Sequence, residues 1–251
     1  MLKSHLITYL ITACLIIIAS VIGVTPVQAA TPEPSWNPTA HFKLVMDDEF
    51  NGTSVNTNLW NTGWYGTGIT GPVNSNETVR YNSANVTESG GYLNLTLNNY
   101  GALVDTNGHF SLTYGRVEWR ACLPPSASGQ IADWPALWLD GQPVWPAHGE
   151  IDVLEGLGGQ AAFHYHSPAG GPGADVPGTY ADINRCGMFG VYWAPGTVQF
   201  FYDSKSVGQI HQDIQGAPMF LVMDNTAGDG GPPPAIKPAM MRIDWIRIWA
   251  Y

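Results

Sequence analysis

The feature that most constrains the fold is a recurring two-residue period. The run GYLNLTLN, Gly91 to Asn98, sets Leu93, Leu95 and Leu97 against Asn94, Thr96 and Asn98. YGRVEWRACL sets Val117, Trp119 and Ala121 against Arg116, Glu118 and Arg120. TVQFFYD (Thr197 to Asp203), PMFLVMD (Pro218 to Asp224) and MMRIDWIRIWAY (Met240 to Tyr251) behave likewise. Successive side chains of a strand point to opposite faces, so such runs bounded by Gly, Pro and Asn read as strands. No stretch carries the 3.6-residue period of a long amphipathic helix. Many short strands in one chain predict an all-β domain, a sandwich, jelly roll or barrel. Two Gly/Pro-rich stretches, Ser167 to Gly178 and Ala227 to Pro238, read as surface loops.

The first thirty residues follow a different logic. Lys3 precedes an apolar run from Leu6 to Val24, and small residues at Val27 and Ala29 close it. This pattern predicts a cleaved secretory signal peptide over 1–30, and hence a secreted, extracellular protein with no membrane contact after cleavage. A retained anchor is the alternative, because the run is long enough to span a bilayer. Pro32, Pro34 and Pro38 make 31–41 an extended linker and leave 42–251 as one domain, expected to be a monomer.

Loss of Lys3 takes the formal charge from −10 to −11. An acidic chain with so few cations is a poor match for nucleic acid, and by the same argument for a sulfated or otherwise anionic polymer. The ten Trp suit flat, neutral surfaces such as sugar rings. Cys14 leaves with the signal peptide, so Cys122 and Cys186 remain. An even count in an exported chain fits one disulfide, with two buried thiols as the alternative.

The stretch HGEIDVLEG places Glu150, Asp152 and Glu155 within six residues. On a strand Glu150 and Asp152 share a face, and Ile151 and Val153 take the other. Strict alternation would put Glu155 in the core, where a lone carboxylate is costly. One extra residue at Val153 or Leu154 returns it to its partners, so the two-then-three spacing predicts a β-bulge. Three carboxylates on one face repel, and at least one should keep its proton near neutral pH. Hydrolysis of a glycosidic bond needs such an arrangement, one carboxyl ionised and one protonated. A solvated acidic face or a cation site is the bland alternative.

The surroundings favour the sugar reading. Trp134, Trp138 and Trp145 lie just upstream, able to stack on sugar rings, with core packing the alternative for some of them. In AFHYHSP, His164 and His166 share one strand face and can hydrogen-bond sugar hydroxyls or a catalytic carboxylate. A zinc site is the weaker alternative, because the pair lacks the usual helical spacing.

GEIDVLEG following WPALW resembles glycoside hydrolase family 16, which includes laminarinases and lichenases. MDDEFNG (Met46 to Gly52) resembles the family's opening strand, and NSNETVRY (Asn74 to Tyr81) its Asn-Asn-Glu segment, with Ser75 replacing one Asn. YGRVEWRACLP and MRIDWIRIWAY resemble its Tyr-Gly-x-x-Glu-x-Arg and closing strands. The resemblance implies a β-jelly roll of two antiparallel sheets, with substrate in a cleft across the concave one. It implies Glu150 as nucleophile, Asp152 as assisting carboxylate and Glu155 as general acid/base. Substrate binding is expected at Asn76, Arg116, Trp134, Trp145, His164 and His166. No cofactor serves the chemistry; a structural calcium near Asp244 is implied by parts of the family. The expected partner is a neutral β-glucan, most similar to laminarin in its β-1,3 links. Mixed-linkage glucan, galactan or agar, transglycosylation, and a non-catalytic glycan-binding jelly roll are the alternatives. DNTAGDGG (Asp224 to Gly231) and FHYHSPAGGPG depart from the family pattern where the cleft would be bordered.

Overall fold

The computed structural model describes residues 42–170, 174–228 and 238–250. The expected signal peptide over 1–30, the expected linker over 31–41 and most of the 227–238 stretch lie outside those residues.

Among the described residues the chain forms sixteen strands, a single short 3₁₀ turn at Ser83–Asn85 and no α-helix. They are β1 (Lys43–Asp48), β2 (Ile69–Thr70), β3 (Tyr81–Asn82), β4 (Val86–Ser89), β5 (Tyr92–Leu97) and β6 (Ala102–Asp105). There follow β7 (Gly115–Cys122), β8 (Trp134–Asp140), β9 (Glu150–Leu157), β10 (Gln160–His166) and β11 (Ala174–Thr179). The last five are β12 (Gly187–Ala194), β13 (Thr197–Tyr202), β14 (Lys205–Ile210), β15 (Phe220–Thr226) and β16 (Ala239–Ala250). Every alternating run named above became a strand. Ala174–Thr179 is a correction: it lies within the stretch read as a loop, yet pairs with β10 as an edge strand. Pro177 is tolerated there because an edge strand has one side free of ladder bonds.

The strands build two antiparallel sheets. The larger runs β14-β13-β12-β7-β16-β5-β4, with β1 added beside β16. The long β16 serves three neighbours: its first half pairs with β5, its second half with β1, and β7 lies along most of the other side. The smaller sheet runs β11-β10-β9-β8-β15-β6. This two-sheet arrangement is a jelly roll. The core fills the space between the sheets. Leu93, Leu95, Val117, Trp119, Ile243, Ile246 and Ile248 of the larger sheet meet Leu137, Leu139, Ile151, Val153, Leu154 and Phe163 of the smaller one. Phe163 and Phe200 join the sheets directly, with ring centroids 5.7 Å apart.

The alternation on β7 needs one correction. Arg116 and Glu118 are buried, although the period set them on the polar side. This strand is central in its sheet, and Phe42 and Tyr192 cover Arg116 at 4.5 and 4.8 Å from their ring centres. Cys122 and Cys186 form a disulfide at the end of the β7–β12 pair.

The smaller sheet has a second, outward face, where Ala136 and Trp138 of β8, Phe220 and Val222 of β15, and Leu103 of β6 pack against Tyr81, Trp64 and Val73. The 63–82 segment therefore roofs one side of this face. The other side, over β9 and β10, stays open around the carboxylates.

Candidate active site

The predicted bulge is present. Across β8, Leu137 pairs with Leu154 and Trp138 with Asp152, so Val153 is the extra residue. Across β10, Ala162 pairs with Glu155 and His164 with Asp152, so Val153 and Leu154 oppose Phe163 alone. Both Val153 and Leu154 are fully buried. Each such burial stabilises by about 1.5–3 kcal/mol. A disrupted ladder hydrogen bond costs about 0.5–1.5 kcal/mol. The bulge wins on packing alone, and it also spares Glu155 from the core.

Glu150, Asp152 and Glu155 line one pocket of about 70 Å³ together with Glu77, Trp134, Trp138, Asp224 and Thr226. Polar atoms of Glu150, Asp152 and His166 all lie within 4.8 Å of one another, as do those of Asp152, Glu155 and His164. Asp152 belongs to both triads and links them. His166 Nε2 is 3.0 Å from Asp152 and 3.5 Å from Glu150. Glu155 accepts from the Trp134 indole N–H at 3.0 Å and meets His164 Nδ1 through its other oxygen.

Burial is the main force raising Glu150 and Asp152 well above the carboxylate range, with repulsion from Asp152 second for Glu150 and from Glu155 second for Asp152. Of the charged neighbours, only His166 pulls Glu150 down. Repulsion alone asks only that at least one of the three keep a proton. The upward push falls on Glu150 and Asp152, whose carboxyls lose water on burial. The proton belongs to the group of carboxyls rather than to one residue.

Further carboxyls stand nearby. Glu77 is pushed up to about 7 by burial, against hydrogen bonds from Tyr81 and the Val73 N–H. Asp140 pairs across the strands with Glu150 and is likewise pushed up to about 7 by burial. Asp224 is buried under Trp138, whose indole N–H reaches it at 2.8 Å, and burial raises it well above its ordinary value. Sequence reasoning passed over all three. The signal that exposed Glu150 was present for Asp140 and Asp224 also, since each is an acid on an otherwise apolar strand.

Other expected site residues are placed as follows. Trp134 sits in the pocket, with one ring face against Gly228: a Cβ there would come within 2.3 Å of the ring, so only glycine fits. Trp145 is exposed beside His166, with ring centres 5.8 Å apart. Trp138 stacks on Trp64 at 5.7 Å and forms floor rather than a free platform. Asn76 points out to solvent while its backbone N–H closes a turn onto Asn74; the next residue, Glu77, faces the pocket instead. Arg116 lies in the other sheet and is not part of this site. Asp244 is also in the larger sheet, ion-paired with Arg120.

With this geometry in place, comparison with known proteins is informative. The family description "XgeA-like, catalytic GH16 domain" matches residues 125–171, the segment holding all three carboxylates and both histidines. A keratan-sulfate endo-1,4-beta-galactosidase of Sphingobacterium multivorum is 27% identical over 84% of this chain, and a glucan endo-1,3-beta-glucosidase A1 of Niallia circulans 28% over 84%. The catalytic domain of an endo-1,3-beta-glucanase (laminarinase) from Thermotoga petrophila superposes with a TM-score of 0.71 at 25% identity, covering 83% of this chain and 98% of that one. The chain is similar to catalytic domains of glycoside hydrolase family 16. An endo-beta-1,3-glucanase from Pyrococcus furiosus, 21% identical with a TM-score of 0.71 over 83% of this chain and 94% of that one, shares the two-sheet fold. The chain spans 56% and 38% of the length of the Sphingobacterium and Niallia relatives.

Proposed function

We propose that this protein is a secreted, retaining endo-glycosidase that hydrolyses a neutral β-glucan, with β-1,3 links as its preferred bond. The observation that carries the proposal is the bulge at Val153–Leu154, which brings Glu155 back beside Glu150 and Asp152 in one pocket. A sugar-binding module gains nothing from three mutually repelling buried carboxyls; a double displacement uses all of them.

Glu155 gives its proton to the departing sugar oxygen while Glu150 attacks the anomeric carbon, so the glycosidic C–O bond breaks as a glycosyl ester forms. Water then attacks the same carbon. Its proton returns to Glu155, and Glu150 leaves as carboxylate. Asp152, between the two, takes up the proton that Glu150 must shed before it can attack. His166 Nε2, within reach of both carboxyls, can hydrogen-bond either one as the proton moves. Trp134 fixes Glu155 through its indole N–H and offers ring surface to a sugar.

The six strands of the smaller sheet contain no Lys or Arg. That favours a neutral polymer over the sulfated one named for the Sphingobacterium relative. The β-1,3 preference rests on the two endo-1,3-glucanase relatives. Export is supported by the Cys122–Cys186 disulfide, a bond that persists in oxidising compartments. The test is product analysis on laminarin, lichenan, agarose and keratan sulfate, with the anomeric configuration read by NMR at early times. Oligosaccharides from laminarin with retained β configuration are expected. Inverted product overturns the double displacement, and cleavage confined to a galactan overturns the substrate.

A further inference from the structure

A histidine and an acid that the hydrolytic scheme leaves idle form a line from solvent to Glu155. His164 faces Asp152 across β9 and Asp175 across β11. Its Nδ1 meets the Glu155 carboxyl, and its Nε2 lies 3.7 Å from Asp175 Oδ1. Exposure rises along that line: the side chains of Glu155, His164 and Asp175 are 14, 18 and 75% accessible. We infer that His164 is a positioning and proton-holding residue for Glu155, with Asp175 fixing its tautomer. The inference rests on the role given to Glu155 above.

The chemistry follows from the two ring nitrogens. A carboxylate at Asp175 favours the N–H on Nε2, which leaves Nδ1 as a bare acceptor facing Glu155. One proton then lies between Nδ1 and the Glu155 carboxyl. With the proton on the ring, the pair is imidazolium and carboxylate; with it on Glu155, it is neutral imidazole and the acid that catalysis needs. When a sugar oxygen takes that proton, it comes from Glu155 and the ring is left neutral. The attacking water later restores it, so the cycle balances without an outside donor. Burial opposes a charge on His164, but the hydrogen bond to Glu155 and the charges of Glu155, Asp152 and Asp175 outweigh it and raise its affinity for a proton. His166 is the other imidazole on this face, 6.3 Å away between ring centres. Glu155 also faces the Trp134 N–H and the charges of Asp152 and Asp224. The alkaline limit of activity is therefore a property of the His164–Glu155 pair, and it lies higher than a lone carboxyl would allow.

The test uses the full chain with ¹⁵N-labelled histidine. In wild type the His164 imidazole should titrate above the ordinary histidine value, and in Glu155→Gln its midpoint should fall back. Kinetics give the second readout. His164→Asn places an amide N–H where Nδ1 was, so it keeps Glu155 in position but cannot hold its proton. On laminarin it should lower kcat by about 10- to 100-fold with little change in KM, and move the alkaline limb to lower pH. On a 2,4-dinitrophenyl β-glucoside of laminaribiose, whose leaving group needs no acid, the loss should be under about threefold. His164→Ala should lose more than His164→Asn on laminarin. An imidazole midpoint unmoved by Glu155→Gln overturns the pairing, even if laminarin proves not to be the substrate. An unchanged alkaline limb with equal losses on both substrates overturns the proton-holding role. Failure of wild type on every β-glucan counts against the proposed function and leaves the titration to decide this one.

Discussion

The eight-stranded sheet carries Lys43, Arg116, Arg120, Lys205, Arg242 and Arg247, whereas the six-stranded sheet carries seven acids and no Lys or Arg. On the larger sheet, charges are matched. Arg247 grips Glu49 with two hydrogen bonds at 2.8 and 3.1 Å, Arg120 holds Asp244, and Arg242 lies over the Tyr92 ring. At the turn after β13, burial pushes Asp203 up but hydrogen bonds from Arg185 and the Met188 N–H outweigh it and hold it low. On the smaller sheet, Glu150, Asp152, Asp140 and Asp224 are all raised by burial, and two histidines are the only basic side chains. The lesson is that one sheet satisfies its charges and the other stores them. Stored charge costs stability and supplies carboxyls that change protonation near neutral pH.

The sharpest way to break this contrast is Glu150→Gln. Hydrolysis should fall by at least about 10⁴-fold. Because the amide removes both repulsion and charge burial, the melting temperature near pH 7 should rise rather than fall. An active variant sinks the mechanism, and a lower melting temperature sinks the idea that the site is held at a cost. Deleting Val153 attacks the bulge itself. Glu155 would turn toward the core, and activity should vanish together with about 3–5 kcal/mol of stability, read by chemical denaturation. Intact activity after that deletion would mean the register has another origin.

The two sheets should also separate by pH. Glu77 and Asp140 bind protons more tightly folded than unfolded, both near 7 against ordinary carboxyl values. Their contribution is fully present below the unfolded value and is lost as pH rises to about 7. Each removes roughly 1.4 kcal/mol per pH unit across that window. Asp203 acts in reverse, since its contribution is lost only as pH falls through its lowered value. Thermal melts should therefore be highest near pH 4 and lower by about 10 °C at pH 8. Combining Glu77→Gln with Asp140→Asn should flatten that slope; an unchanged slope would place its origin elsewhere.

Smaller effects sharpen the picture. Gly228→Ala should push Trp134 off Glu155 and reduce kcat by about tenfold, with little change in melting temperature. A wild-type rate would show that the Trp134 contact does not position the acid. Arg120→Gln on the larger sheet should change stability by less than about 1 kcal/mol and leave activity alone, because the pair is partly exposed. A loss of activity there would mean that the two sheets communicate.

Several of these features were legible without coordinates. A period of two is a local property, so β5, β7, β13, β15 and β16 could be read from their own residues. The bulge was legible too, because two apolar residues between Asp152 and Glu155 conflict with strict alternation and leave one cheap solution. Arg116 was misplaced because alternation tells which residues share a face but not what covers that face; Phe42 and Tyr192 come from elsewhere in the chain. Asn76 was chosen over Glu77 for a similar reason. Only the turn closed by Asn74 and the reach of Glu77 toward Tyr81 show which of the two looks inward.

The sequence by itself determined that the chain is all-β, that three carboxylates share a strand, and that a bulge keeps them together. These follow from side-chain period and from the cost of burying a charge. Tertiary structure alone decided which carboxyls burial pushes up, which tryptophans stack and which pack, and that His164 stands between Glu155 and Asp175. Those depend on enclosure and on neighbours from distant strands, and neither is written in any one strand's pattern.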